Sequence, residues 1–287
     1  MAWTFSTEVD AYDAAAGALL RSDAERHTIG VTVIDSARRR STPLDPPEWY
    51  AWWTDSAQAV TGCASITPPW PLLLECLPEE TLDPLAELLV AGDVPVAGVN
   101  GPNSLAATFA SMWRVRTGDR VLLHDALRLF RLETLKPPNR AVEGRHRIAS
   151  EDDLPLLVEW FTQFGVEVHG PMGRVEESVR QRLDHGGIWL WCDDTDEPVS
   201  VVGHTPPISD VARLGPVFTP VDRRGNGYAE SLTHVVSQSL RDQRCSVVLF
   251  TDQSNPTSNG IYTRLGYRPV MDRLMLSFEP AAQMTKE

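Results

Sequence analysis

The sequence predicts a mixed α/β architecture of the α+β type, in two modules that each fold a mixed sheet against helices. Three observations carry this. Residues 211–224, VARLGPVFTPVDRR, read as a strand that runs through Gly225-Asn226-Gly227-Tyr228-Ala229 into an amphipathic helix ending near Arg241. Residues 245–251, CSVVLFT, read as a short buried strand leading to a second helix. The first half of the chain repeats part of that order without its glycine turn.

Taken in order, residues 49–53 and 58–67 read as paired strands, 72–74 as another, and 79–90 as a helix. Residues 94–99 read as a buried strand, and 103–116 as a helix with Leu105, Phe109, Met112 and Trp113 on its apolar positions. PVAGVNGPNSLAATF in this half and SVVLFTDQSNPTSNGIY in the other share an apolar strand, a polar turn with Asn and Pro, and a helix, which suggests an internal duplication. After residues 72–74, however, the chain offers Glu75-Cys76-Leu77-Pro78, with neither glycine nor arginine. In residues 135–144, LKPPNRAVEG, the apolar pattern stops, so this stretch is read as a linker between domains spanning 1–138 and 145–287. Beyond it, residues 146–149 read as a strand. Ser150-Glu151-Asp152-Asp153 supplies helix-start residues for the stripe Leu154, Leu157, Val158, Phe161. Residues 187–192 and 199–204 read as an antiparallel pair across an acidic turn.

Composition narrows the class of protein. The 287 residues suffice for two domains with their own cores. Four cysteines, Cys63, Cys76, Cys192 and Cys245, show no CxxC spacing, so neither disulfides nor a metal site is expected. The N-terminus lacks a basic segment followed by an apolar core, and no apolar run approaches the ~20 residues of a membrane span, so a cytoplasmic protein without a membrane partner is expected. A formal charge of −13 disfavours nucleic acid as a partner.

The glycine turn carries the chemistry. Two glycines one residue apart at a helix start allow positive φ and leave backbone N–H groups facing outward, where the helix dipole favours negative charge. Arg223 and Arg224 are expected to add positive charge at the rim. The turn does not match GxxxxGK[ST] or GxGxxG, which argues against an NTPase loop and a dinucleotide fold. The remaining pattern, R-G-x-G-[aromatic]-A after V-F-T-P, resembles motif A of the GNAT superfamily of acyl-CoA-dependent N-acyltransferases. Downstream, Asn255, Ser258, Tyr262, Gly266 and Tyr267 fit N-x-x-[small]-x-x-x-Y-x-x-x-G-[FY], which resembles motif B of the same superfamily. Asn255 or Ser254 caps that helix, Pro256 suits its first turn, and Gly266 stops it. The resemblance covers residues 145–279. The first half reads as a degenerate GNAT-like module.

The resemblance implies an N-acetyltransferase moving an acetyl group from acetyl-CoA to a primary amine of a small molecule or peptide, working as a monomer or homodimer. By the same resemblance, Val217, Phe218 and Thr219 face pantetheine and the thioester. Arg224, Gly225, Asn226, Gly227, Tyr228 and Ala229 hold the pyrophosphate on their amides. Asn255 orients CoA or orders its helix, and Tyr262 protonates the departing sulfur. The chain departs from the pattern at Asp222, which is read as holding Arg224 or capping the helix. It departs again at residues 212–215, where Ala212-Arg213-Leu214-Gly215 offers no glutamate base. His204, Asp210 and Glu230 are the candidates for that role. A second reading is a CoA-binding sensor or scaffold without turnover. Structural roles also stand open: a ligand-free tight turn at the glycines, core burial for Tyr262, and a hydrogen-bonded strand end for His204.

Overall fold

A computed structural model describes residues 1–40, 42–168 and 174–280. In chain order the elements are β1 (Ala2–Ser6), α1 (Val9–Ser22), α2 (Thr28–Arg39), β2 (Trp49–Thr54), β3 (Val60–Ile66), β4 (Leu72–Glu75), α3 (Leu82–Ala91), β5 (Gly98–Pro102), α4 (Asn103–Thr117) and β6 (Arg120–Leu132). Next come β7 (Arg145–Ile148), α5 (Leu154–Glu167), α6 (Val175–Leu183), β8 (Ile188–Cys192), β9 (Pro198–His204), β10 (Val211–Phe218), α7 (Tyr228–Asp242), β11 (Ser246–Asp252), α8 (Pro256–Leu265) and β12 (Tyr267–Glu279). The chain divides into two compact α/β units, one made of Met1–Leu127 with the segment from Met271 onward, the other of Arg128–Val270. The division therefore falls inside β6 and β12, not in the polar stretch 135–144, and the last strand returns to the first unit.

In the first unit the strands lie in the order β1-β2-β3-β4-β5-β12, with β4 parallel to β5 and the second half of β12 antiparallel to β5. Strand alternation sorts the side chains to two faces. Ala51, Trp53, Ala64, Leu72 and Leu74 join the core built with α3 and α4, around Leu85, Phe109 and Trp113. Their neighbours Tyr50, Cys63, Leu73 and Glu75 are also buried but point the other way, where Tyr12 of α1 stacks on Tyr50 with ring centroids 4.9 Å apart. Residues 1–40 thus hold a strand and two helices that no motif announces. The strand expected at 94–99 begins only at Gly98 and runs to Pro102.

In the second unit the order is β6-β11-β10-β9-β8-β7, with β10 and β11 parallel and the run from β10 through β9 and β8 to β7 antiparallel. Of the stripe expected on α5, Leu157 and Phe161 are buried with Val179 of α6 on one face, Leu154 and Val158 pack partly buried against them, and Trp160, outside the stripe, joins that core. On the other, Leu232, Val236 and Leu240 of α7 meet Ala212, Leu214, Val247 and Leu249. Ser150 and Asp153 form the reciprocal cap that starts this region, and Arg147 grips Asp153 through two bonds of 2.7 Å.

Candidate functional site

β10 is irregular where the site lies. Its pairing with β9 shifts register between Leu214 and Val217, and its pairing with β11 stops at Leu214↔Leu249 although the strands continue to Phe218 and Asp252. The side chains record the shift. In a regular strand Leu214 and Phe218, four residues apart, would share a face. Instead Leu214 packs under α7 and Phe218 under α5 beside Trp160, so one extra residue has been taken up between them. Beyond Leu214, β10 is free of β11 and its backbone on that side can serve a ligand. Val217 and Phe218 pair with Val202 and Val201 on the β9 side only, and Thr219 is held by its hydroxyl, 2.8 Å from that of Ser200.

This edge runs directly into the turn. One 3-10 turn at Val221–Arg223 leads to Gly225 (φ 79°) and Gly227 (φ 86°), both in the left-handed region that glycine enters without steric cost. Gly227 precedes Tyr228, the first residue of α7, and no side chain caps the helix, so the N–H groups of its first turn face outward. Asn226 folds back, donating Nδ2 to the carbonyls of Arg223 and Arg224. A Cβ on Gly225 would meet nothing within 4 Å, so the turn is open there.

The two arginines of the turn do not form the free positive rim expected of them. Arg224 donates Nη2 to both oxygens of Glu167 at 2.6 and 2.8 Å and Nε to the Thr219 carbonyl at 2.8 Å. Arg223 lies among Asp193, Glu197 and Asp222 at 3.5–3.7 Å, so Asp222 faces Arg223 and not Arg224. A further cation at the turn is Arg140. Its Nη2 donates to the Gly225 carbonyl at 2.6 Å, and a Cβ on Gly227 would stand 2.8 Å from its Nε. The stretch read as a linker is fastened along this unit: Lys136 N–H donates to Leu265 O at 3.0 Å and Asn139 N–H to Glu230 Oε1 at 3.1 Å. The latter bond delivers the next residue, Arg140, to the turn. A lone arginine in a proline-rich stretch carries no sequence signal for such a role.

On the far side of β11, Asn255 caps α8 by accepting the Ser258 N–H at 3.0 Å, and Gly266 ends the helix at φ 98°. Tyr262 is buried, its ring 5.9 Å from that of Tyr267 and 6.3 Å from that of Phe130. Tyr267 shares a hydrogen bond of 2.6 Å with Ser237, whereas the Tyr262 hydroxyl has none among the described residues. Burial pushes the Tyr262 phenol well up, so it keeps its proton at neutral pH.

The three candidate bases fare differently. Burial lowers His204 to about 4, and its Nδ1 lies 2.9 Å from the Thr205 carbonyl, so the ring is neutral at pH 7. Burial alone would raise Glu230, but Arg264 at 2.8 Å and the Asn139 amide outweigh it and hold the carboxylate below its usual range. Asp210 sits at φ 58° and its carbonyl accepts the Ser246 N–H. His204 is the one that stands opposite Leu214, at the register shift.

Residues 208–275 match the family model described as FR47-like protein. A GNAT-family acetyltransferase from Colwellia psychrerythraea superposes with a TM-score of 0.60 at 12% identity, over 98% of this chain and 100% of its own. A GCN5-related N-acetyltransferase from Sphaerobacter thermophilus gives 0.63 at 17%, over 96% and 95%. A tandem GNAT protein from the clavulanic acid biosynthesis pathway gives 0.55 at 15%, over 97% and 98%. No curated protein matches the sequence. The fold is that of these tandem GNAT structures, and among the described residues the positive-φ glycine turn lies in the second unit. Among the described residues no helix is long and apolar enough to cross a membrane, and no group of three or more His, Cys, Asp or Glu is placed to hold a metal ion.

Proposed function

We propose that the second unit is an N-acetyltransferase site that moves an acetyl group from acetyl-CoA to an amine of a small molecule or peptide. The observation that carries this is the parting of β10 from β11 after Leu214, which ends in an uncapped helix start behind two positive-φ glycines. A cofactor with an extended amide arm and a pyrophosphate suits such a sequence of features: bare strand edge first, anion seat second. Val217, Phe218 and Thr219 offer their backbone to the arm. The amides from Gly225 to Ala229 face the pyrophosphate, that of Arg224 being donated to the Val221 carbonyl, and Arg140 supplies the charge that Arg223 and Arg224 commit to carboxylates. Asn255 acts through the helix it caps.

Acetyl-CoA supplies the thioester when bound. The amine nitrogen attacks the carbonyl, the C–N bond forms and the C–S bond breaks, and Tyr262 donates its proton to the departing sulfur. A phenol kept neutral by burial, with no hydrogen bond of its own, is a donor held in reserve for that step. His204, neutral at pH 7 and beside the register shift, is the group best placed to take the amine proton, through water.

A non-catalytic CoA-binding role is the second reading, favoured by the low basicity of His204 and the ion pair that occupies Glu230. Calorimetry with acetyl-CoA, followed by a screen of amines for CoA release, separates the two. Binding in the range of ~1–100 μM is expected. Gly227→Glu, which sets a carboxylate in the anion seat, is expected to abolish it. Undiminished binding by this variant overturns the site, and binding without release on any acceptor favours the sensor.

A further inference from the structure

The first unit contains a group of reactive side chains that acetyl transfer in the second unit does not use. β4 ends at Glu75 and passes to Cys76, a non-glycine residue at φ 54°, before Leu77 and Pro78 lead into α3. The turn lies flat on β3. A Cβ on Gly62 would stand 2.6 Å from Leu77 Cδ2 and 3.2 Å from the Cys76 carbonyl, so only glycine lets the turn come this close. Left-handed φ is sterically unfavourable for a residue with a Cβ, and such positions collect at working sites.

His27, just before α2, reaches this turn with both ring nitrogens engaged. Its Nδ1 is 2.8 Å from Glu75 Oε2, and Cys76 Sγ lies against the ring, 2.8 Å from Nε2 and 3.6 Å from Nδ1. Behind them Arg273 is fully buried and donates Nη1 to the two Glu75 oxygens at 3.4 and 3.3 Å and Nε to Asn100 Oδ1 at 3.1 Å. Arg273 and Glu75 thus form a buried pair of opposite charge behind the imidazole. Burial by itself lowers His27, but hydrogen bonds to Cys76 and Glu75 raise it to about 10. Cys76 is also partly exposed, unlike the buried Cys63 and Cys192. A partly exposed thiol in contact with an imidazole that is itself held by a carboxylate is a grouping that can activate a nucleophile.

We propose that Cys76 is the nucleophile of a second, covalent site, one that accepts an acyl group from an activated acyl donor such as a thioester or aryl ester. His27 carries the proton, and Glu75, anchored by Arg273, orients the ring. Cys76 Sγ attacks the acyl carbonyl carbon; the new S–C bond forms and the donor's C–S or C–O bond breaks. The proton on His27 passes to the departing thiolate or phenolate, and nothing is oxidised or reduced. An acyl donor is favoured over a simple alkylating agent because a leaving group that needs a proton is what makes the imidazole useful.

The test is the full chain with p-nitrophenyl acetate. A burst of one nitrophenolate per chain is expected, with a single acetyl group on the peptide that contains Cys76. Cys76→Ser should remove the burst, and His27→Gln should slow it by ~10²-fold or more. Gly227→Glu should leave it intact, which separates this site from the one in the second unit. Acetylation of the partly exposed Cys245 as fast as Cys76, or a burst that survives Cys76→Ser, overturns the proposal. Should His27→Gln unfold the unit, the unaltered chain decides: the burst rate should change little between pH 6 and 8, and a rise of about tenfold per pH unit, as for an unassisted thiol, refutes it.

Discussion

The exits of β4 and β10 perform the same topological task and solve it with opposite chemistry. Each is a strand, parallel to its neighbour, that must hand the chain to a helix. After β10 the link is Gly225-Asn226-Gly227, nearly without side chains, and the helix start stands open. After β4 the link is Cys76-Leu77-Pro78, and the space is filled by a thiol, an imidazole and a buried ion pair. An exit without side chains offers backbone dipoles to an anion and leaves the chemistry to the bound molecule. An exit with side chains offers the chain's own reactive groups.

The comparison breaks most visibly at Tyr262. With whichever amine a release screen identifies, Tyr262→Phe is expected to lower turnover by ~10²–10⁴-fold while acetyl-CoA affinity stays within a few-fold, measured by steady-state kinetics and calorimetry. A full rate would return Tyr262 to the core packing it shares with Phe130 and Tyr267. On the β4 side, Arg273→Met leaves Glu75 with His27 as its one side-chain partner among the described residues. A loss of ~3–5 kcal/mol in urea unfolding is expected, the usual cost of breaking one side of a buried pair. A loss under ~1 kcal/mol would mean the group tolerates imbalance.

A smaller effect is readable by pH. His27 is raised to about 10 in the folded chain, against ~6.5 when unfolded. The folded state therefore binds the extra proton between those values, and stability from this group is fully present below ~6.5 and lost as pH rises through about 10. His27→Gln is expected to flatten that alkaline decline while leaving the acid limb unchanged. The smallest effect is expected at Arg140. Arg140→Ala removes an exposed guanidinium from the glycine turn and should weaken acetyl-CoA binding by about three- to tenfold, with the loss shrinking in high salt. An unchanged affinity would leave the amides as the sole anchors.

The parts legible in the sequence are those set by neighbours close in the chain. Asn255, Pro256 and Gly266 delimit α8 by local bonds, and Gly225 and Gly227 mark their turn because few other residues adopt its φ. β5 lies downstream of its expected place because its own sequence, GVNGP, reads as a turn; it is a strand because β4 and β12 pair with it on both sides. The expected charge of Arg223 and Arg224 fails on partners up to 57 residues away, such as Glu167. The His27 group is out of reach for the same reason, since His27 and Arg273 lie 48 and 198 residues from Glu75 and no local pattern joins them to it.

The return of residues 271–279 to the first unit sets an order on biogenesis. The second unit, Arg128–Val270, is one unbroken stretch and can close while the ribosome is still adding the second half of β12. The first unit, although translated earlier, cannot. Until the last strand emerges, β5 has β4 on one side and a bare row of amides and carbonyls on the other, and Glu75 waits in a half-built core without Arg273. The half made first is thus the half finished last, and through that interval it is the one most in need of chaperone protection.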